Sequence, residues 1–454
     1  MENTIKEHID QQLDRYLEEL FTLLRIPSIS SKEEHKPDMY KAAEQWKHLL
    51  MMAGCDHAKI YETEGNPVVF GERIIDPKLP TVLIYGHMDV MPVEPLNLWD
   101  SAPFEPVIQA GKIWGRGADD DKGQSFMHAK AFEYLAHSDQ LKRNVKFIIE
   151  GEEEIGSPNL PQFIEEHKEL LAADIILVSD TSMLDAETPS LTTGLRGLSY
   201  WQLEVSGPKV DLHSGLFGGA VANPINELCK LIAQLQDDKG RITVPGFYDD
   251  VKPISDEERA LIAQIPFDEE AYKESIGVKA LKGEEGFSTL ERTGTRPSFD
   301  VCGIWGGYMG EGAKTVLPSK AYAKLSTRLV AGQDNQKIAQ MMVDHISRIA
   351  PDYVQVKVEA MHGGQAYECP IDLPEYQAAE KAYIDVFGKR PLPVKRGGSI
   401  PIIATFEEKL GIKTILMGFG LEEDAIHSPN ENFPLEMFKK GIETIIRFYE
   451  HLDA

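Results

Sequence analysis

At 454 residues, 42% of them hydrophobic, the chain exceeds what one core usually organises, so two domains are expected. Its formal net charge of −26, from 73 acidic against 47 basic side chains, argues against nucleic acid and membranes as partners, because phosphate binding needs a cationic face. Four scattered cysteines, Cys55, Cys229, Cys302 and Cys369, lack CxxC spacing, which argues against a disulfide framework or a cysteine zinc site and points to a reduced, cytoplasmic protein. The N-terminal segment reads as a helix: Ile5, Ile9, Leu13, Leu17, Leu20 and Leu24 recur at helical spacing, and Pro27 ends the run. This segment is charged and amphipathic, with no apolar core for a signal peptide, and no stretch has the length to span a bilayer. Three short apolar runs follow, TVLIYGHMD (81–89), VKFIIEGEEE (145–154) and DIILVSD (174–180), separated by helical stretches around 122–136 and 160–171. That alternation predicts an α/β fold, a mostly parallel sheet with helices on both faces. Each run ends in His, Asp or Glu, and in such sheets ligands bind beyond the carboxyl ends of the strands.

The pattern changes after about residue 195. LSYWQLEVSG alternates like a half-buried strand, residues 223–236 read as an amphipathic helix, and KAYAKLSTRLVA (320–331) alternates again. A helix near 334–349 and a strand at 354–361 complete the expectation of a smaller α+β domain with one solvated sheet face. Residues 237–300 are acidic and read as an irregular surface excursion. From about 368 the α/β character returns, with a helix (374–387), the turn RGGSIPI, a strand KTILMGFG (413–420) and a last helix. That helix carries Phe438, Ile442, Ile445, Tyr449 and Leu452 on one face. The expected organisation is a metal-binding catalytic domain in two pieces, 1–194 and 368–454, interrupted by an inserted α+β lid or dimerisation domain at 195–367.

Candidate metal ligands are His87, Asp89, Asp119 to Asp121, Glu152 to Glu154, Asp180 and His427. Two divalent ions close together need a bridging carboxylate with His and carboxylate ligands on either side. Oxygen and imidazole donors without thiolate suit zinc, manganese or cobalt. His87 and Asp89 on one strand end do not easily share a metal, so Asp89 is expected to orient the imidazole. Each piece alone has a plainer reading: a triple Glu as solvated surface, a triple Asp as a turn or helix cap, His427 as a loop histidine. Their ordered placement after apolar strands, with glycine at the turns, is what points to a metal centre. A dinucleotide reading of GRGADDDKG fails the GxGxxG spacing.

GHMDV (86–90), GRGADDDKG (115–123), EGEEEIGS (150–157), VSD (178–180) and IHSPNE (426–431) resemble the five metal motifs of the aminoacylase, desuccinylase and carnosinase family of metallopeptidases. LWDSAPFEP (98–106) and TGLRG (193–197) fit as well, so the resemblance covers nearly the whole chain. DLHSGLFGG (211–219), VPGFYDDV (244–251), GAKTVLP (312–318) and RGGSIP (396–401) are similar to the cytosolic nonspecific dipeptidase and carnosinase branch. The resemblance implies two divalent ions per subunit, Zn2+ with Mn2+ as the alternative. Asp120 would bridge them, His87 and Asp180 would complete one, Glu154 and His427 the other, and Glu153 would be the general base. The runs of three Asp and three Glu leave the register open by one residue; Lys122-Gly123 and Gly156-Ser157 set it. The resemblance further implies a cis peptide at Asp120–Asp121, and His213 as an oxyanion donor reaching the neighbouring active site of a homodimer.

Short-peptide selectivity requires an anion site for the free C-terminal carboxylate. Arg328 can grip it bidentately, and the turn at Gly397, Gly398 and Ser399 offers N–H groups and a hydroxyl. The resemblance adds Thr315 and His362 as polar contacts. The expected reaction is hydrolysis of the peptide bond of dipeptides or very short peptides; the alternative is an N-acyl amino-acid deacylase using the same metals.

Overall fold

The computed structural model describes residues 2–398 and 400–452, so Ser399 lies outside the described residues. Two units pack separately: Met1–Thr193 with Cys369–Val394 and Thr405–Ala454, and Gly194–Glu368 with Lys395–Ala404. The first unit is built on a mixed sheet whose strands lie in the order His57–Tyr61, Val68–Arg73, Asn144–Glu150, Thr81–His87, Ile175–Val178, Thr414–Leu416 and Ser190–Leu195. Four neighbouring strands, Asn144–Glu150, Thr81–His87, Ile175–Val178 and Thr414–Leu416, run parallel, and antiparallel strands flank them. Every residue of Asn144–Glu150 and Ile175–Val178 is buried, which is why these strands read as continuous apolar runs rather than alternating ones.

Helices cover both faces of this sheet. Within Thr81–His87, Gly86 lies so close to the helix Lys122–His137 that a Cβ there would sit 1.8 Å from Ser125 Oγ. Its neighbour Tyr85 packs edge-on against Phe406, ring centroids 5.5 Å apart. Successive strand residues point to opposite faces, so these two contacts mark two helical layers. The C-terminal helix Leu435–Leu452 buries Phe438, Ile442, Ile445 and Tyr449, and Phe438 stacks on Phe126 at 6.2 Å.

The second unit holds a four-stranded antiparallel sheet, ordered Ser298–Gly306, Lys320–Leu329, Gly197–Ser206, Gln355–Gly364. Strand Gly197–Ser206 alternates strictly between buried and half-buried residues. Trp201, Leu203, Val205, Ala321, Ala323 and Leu325 face a core closed by Leu228 and Leu231 of helix Pro224–Ala233 and by Ile338, Met342 and Ile346 of helix Asn335–Ile349. Asn223 and Asp334 cap these helices, each side chain accepting a backbone N–H of the first turn.

Two expectations need correction. Residues 237–300 are not irregular throughout: short helices span Asp256–Ile262, Glu269–Ile276 and Thr289–Gly294, capped by Ser255, Asp268 and Ser288, the last with a full capping box to Glu291. Arg296 anchors this segment with a bidentate pair to Glu284 at 2.7 and 2.8 Å. Residues 395–404, expected with the metal-binding domain, pack with the second unit instead. Within that unit Lys395 Nζ lies 2.7 Å from both Glu258 and Glu368.

Candidate metal centre

The parallel strands deliver their ends to one edge of the sheet. His87 is the last residue of Thr81–His87, the turn Glu153–Ile155 follows Asn144–Glu150, and Asp180 follows Ile175–Val178. His427 stands in the loop after Thr414–Leu416, in a left-handed conformation with φ 60°. Asp120 sits on the turn before helix Lys122–His137, and the peptide between Asp120 and Asp121 is cis.

Two donor sets result, His87 with Glu153 and Asp180, and Asp120 with Glu154 and His427. Asp120 joins them: its Oδ1 lies 3.1 Å from His87 Nε2 and its Oδ2 lies 2.9 Å from His427 Nε2. His427 Nε2 is also 3.1 Å from Glu154 Oε2, and His87 Nε2 is 4.0 Å from Asp180 Oδ2. The fully buried Asp89 carries three tasks. Its Oδ1 stands 3.3 Å from His87 Nδ1, and its two oxygens accept the N–H groups of Glu153 and Glu154 at 3.2 and 3.1 Å. With Nδ1 turned to Asp89, Nε2 is the ring nitrogen presented to the donor set.

The neighbours in each acidic run point elsewhere. Glu152 accepts from the Asn66 N–H and the Asn159 amide, both at 2.9 Å. Asp121 accepts the His87 N–H at 3.1 Å and the Ser125 hydroxyl. Asp119 is buried and lies against Gly420. Hydrogen bonds thus occupy Glu152 and Asp121 away from the donor sets.

Burial drives the Glu153 carboxyl up to about 8, and the charges of Asp120 and Asp89 add to that. Hydrogen bonds to Asp120 and Glu154 raise the His427 imidazole to about 10. Asp180 is pushed well above its ordinary value by burial and then by the charge of Asp120. Four carboxylates, Asp120, Glu153, Glu154 and Asp180, thus crowd around two imidazoles. Such oxygen-rich, thiolate-free crowding fits divalent cations, which neutralise it and use the open lone pairs.

The remaining expected residues lie in the second unit. His213 is exposed at the end of the short strand Leu212–His213, its Nδ1 accepting the Gly215 N–H at 3.0 Å. Thr315 adjoins it, its carbonyl accepting the Ser214 N–H at 3.1 Å. His362 stacks on Tyr200, ring centroids 5.1 Å apart. Arg328 stands beside Arg196, whose guanidinium is lowered to about 10 by burial and by the Arg328 charge. Arg196 Nε in turn donates to the Gly397 carbonyl at 3.3 Å, next to Gly398. Sequence reasoning singled out neither Arg196 nor Glu431, although TGLRG and IHSPNE contain them. Glu431 is fully buried and accepts the N–H of Asp120 at 3.1 Å.

The family model for peptidase family M20/M25/M40 matches residues 83–451. The chain is similar to the Cys-Gly metallodipeptidase of Schizosaccharomyces pombe, 32% identical over 464 residues, covering 98% of this chain and 97% of the relative. It is also similar to the human Beta-Ala-His dipeptidase, 33% identical over 389 residues, covering 84% and 77%. Among solved structures, an M20 family metallo-carboxypeptidase from Sulfolobus solfataricus superposes with a TM-score of 0.85 at 33% identity, covering 97% of this chain and 99% of that one. A family match of that extent, on a fold whose sheet edge carries these donor sets, places the chain in peptidase family M20/M25/M40.

Proposed function

We propose that this chain is a two-metal dipeptidase, hydrolysing the peptide bond of dipeptides and very short peptides that bear a free C-terminal carboxylate. The observation that carries this reading is Asp120, with one oxygen turned to each of two imidazoles between two donor sets. His87 and Asp180 would hold one ion, Glu154 and His427 the other, and Asp120 would serve both. Divalent ions held there, Zn2+ with Mn2+ as the alternative, would supply Lewis-acid polarisation of the scissile carbonyl and a lowered pKa for the attacking water. Glu153 would take the proton at its carboxylate and deliver it to the leaving amine. Asp89 fixes the His87 ring and the turn that carries Glu153.

Arg328 holds the substrate carboxylate, assisted by Gly398 and Ser399, with Thr315 and His362 as further polar contacts. The neighbouring Arg196 supports this role by making the position doubly cationic. His213 donates to the developing oxyanion, supplied across a homodimer formed through the second unit. Leu216 and Met309 of that unit, each 76% exposed, support a partner surface there. A cytoplasmic setting is supported by four free cysteines, two of them exposed. No helix among the described residues is long and apolar enough to cross a membrane.

Two similar proteins are named dipeptidases, which favours peptides over N-acyl amino acids as substrates. The Sulfolobus relative favours a second reading, carboxypeptidase action on longer peptides. The deciding experiment reloads metal-free enzyme with Zn2+ or Mn2+ and compares alanyl-leucine, a tripeptide, and N-acetyl-leucine. Dipeptide cleavage should dominate. Faster tripeptide turnover would select the carboxypeptidase reading, and faster N-acetyl-leucine turnover would reject both.

A further inference from the structure

Glu431 lies on the same loop as His427 but spends its whole carboxylate on the loop that carries Asp120. Its Oε2 accepts from Arg116 Nη1 at 2.7 Å and from the Gly117 N–H at 3.0 Å. Its Oε1 accepts the N–H groups of Asp119 and Asp120, each at 3.1 Å. The Glu431 carbonyl accepts the Gly115 N–H at 3.0 Å, so main chain and side chain bind the same turn. Both Glu431 and Arg116 are buried, and the Arg116 guanidinium is held by the Pro92 carbonyl at 3.1 Å and by the Trp99 ring at 5.3 Å. Next to Glu431, the Asn430 side chain accepts the Asp100 N–H at 2.8 Å and donates to the Leu98 carbonyl at 3.0 Å. The loop between them is held in an unusual path, with Ala425, His427 and Asn430 all at positive φ.

Asp120 and His427 belong to one donor set yet come from widely separated parts of the sequence. We infer that Glu431 is a positioning residue that fixes the Asp120 turn against the His427 loop, and so sets the affinity of the centre for its second cation. The inference rests on the two-metal reading of the site. A buried ion pair that only stabilises the fold would need Arg116 alone; here two of the four bonds go to the backbone N–H groups of Asp119 and Asp120. A carboxylate accepts at both oxygens, whereas a glutamine would turn an NH2 group toward either the N–H pair or Arg116 and Gly117.

The test is titration of metal-free protein with Co2+, followed by visible absorption and calorimetry, on wild type, Glu431→Gln and Glu431→Asp, with near-ultraviolet circular dichroism as the check of folding. Wild type should bind two ions. Glu431→Gln should bind one of them about 10- to 100-fold more weakly, with altered absorption for that ion, as for outer partners of metal ligands generally. Its kcat should fall more than its KM for dipeptides. Glu431→Asp keeps the charge but loses reach, and should lie between. Folded Glu431→Gln binding both ions with wild-type affinity and spectrum overturns the inference. If that variant does not fold, wild-type behaviour of Glu431→Asp overturns it. Wild type binding fewer than two ions instead removes the two-metal reading, and this inference with it.

Discussion

Glu153 stands at a junction between two roles. Its carboxylate is close enough to His87 and Asp180 to serve as a third donor, yet the role proposed for it is to exchange protons with water and the leaving amine. The two roles separate in Glu153→Gln, which keeps the shape and removes the base. Turnover should drop by about 10²- to 10⁴-fold while two ions per chain remain bound, as read by metal analysis after dialysis. Loss of one equivalent would make Glu153 a ligand. Runs of three identical carboxylates show where the same difficulty arises in sequence: composition cannot say which of Glu152, Glu153 and Glu154 faces the cavity. Motif resemblance set the register, and the structure gives a reason in hydrogen bonds, with Glu152 tied to Asn66 and Asn159. Asp89 was legible as an orienting group for His87. Its grip on the N–H groups of Glu153 and Glu154 was not, because that contact joins residues 64 and 65 apart in sequence.

At the level of elements, periodicity identified the buried parallel strands because both their faces are covered, leaving unbroken apolar runs. It missed His57–Tyr61, where no residue is fully buried and apolar and polar side chains mix. It also passed over the three short helices between 256 and 294, which bury little and are declared mainly by their caps. The N-terminal helix Glu2–Leu24 was legible by spacing, but its ionic attachment to helix Lys122–His137 was not. There Glu133, 7% exposed, receives hydrogen bonds from Arg15 and from Lys130, the latter at 2.6 Å. Burial works to raise the Glu133 carboxyl, but the Arg15 hydrogen bond and the Lys130 charge outweigh it and hold it below the ordinary value of 4.5. The unfolded chain therefore takes up this proton more readily than the folded one. The stabilisation is complete above pH 4.5 and is lost as pH falls through the depressed folded value. Glu133→Gln should cost about 2 kcal/mol at pH 7, and the difference should shrink at pH 3, both measured by urea unfolding. An equal difference at the two pH values would remove the ionic explanation.

The molecule as a whole shows one unit interrupted by another, and the change from apolar runs to strict alternation near residue 195 is the sequence trace of that interruption. The assignment of Lys395–Ala404 to the second unit left no such trace; there Lys395 bonds Glu258 and Glu368, 137 and 27 residues away in sequence. Arg328, Thr315, His362 and His213, the residues proposed to meet the substrate, all belong to the second unit, and the donor sets all belong to the first. Association through the second unit is the corresponding expectation for the assembly. Sedimentation equilibrium should give a mass near twice 50.8 kDa, and a monomer mass at micromolar concentration would remove the role given to a partner's histidine.

Zinc-loaded crystals, measured for anomalous scattering at the zinc edge, address the metal pair itself. Two peaks about 3.5–4 Å apart are expected, one beside His87 and Asp180 and the other beside Glu154 and His427, with Asp120 between them. A single peak, or two peaks away from Asp120, would contradict a two-metal centre.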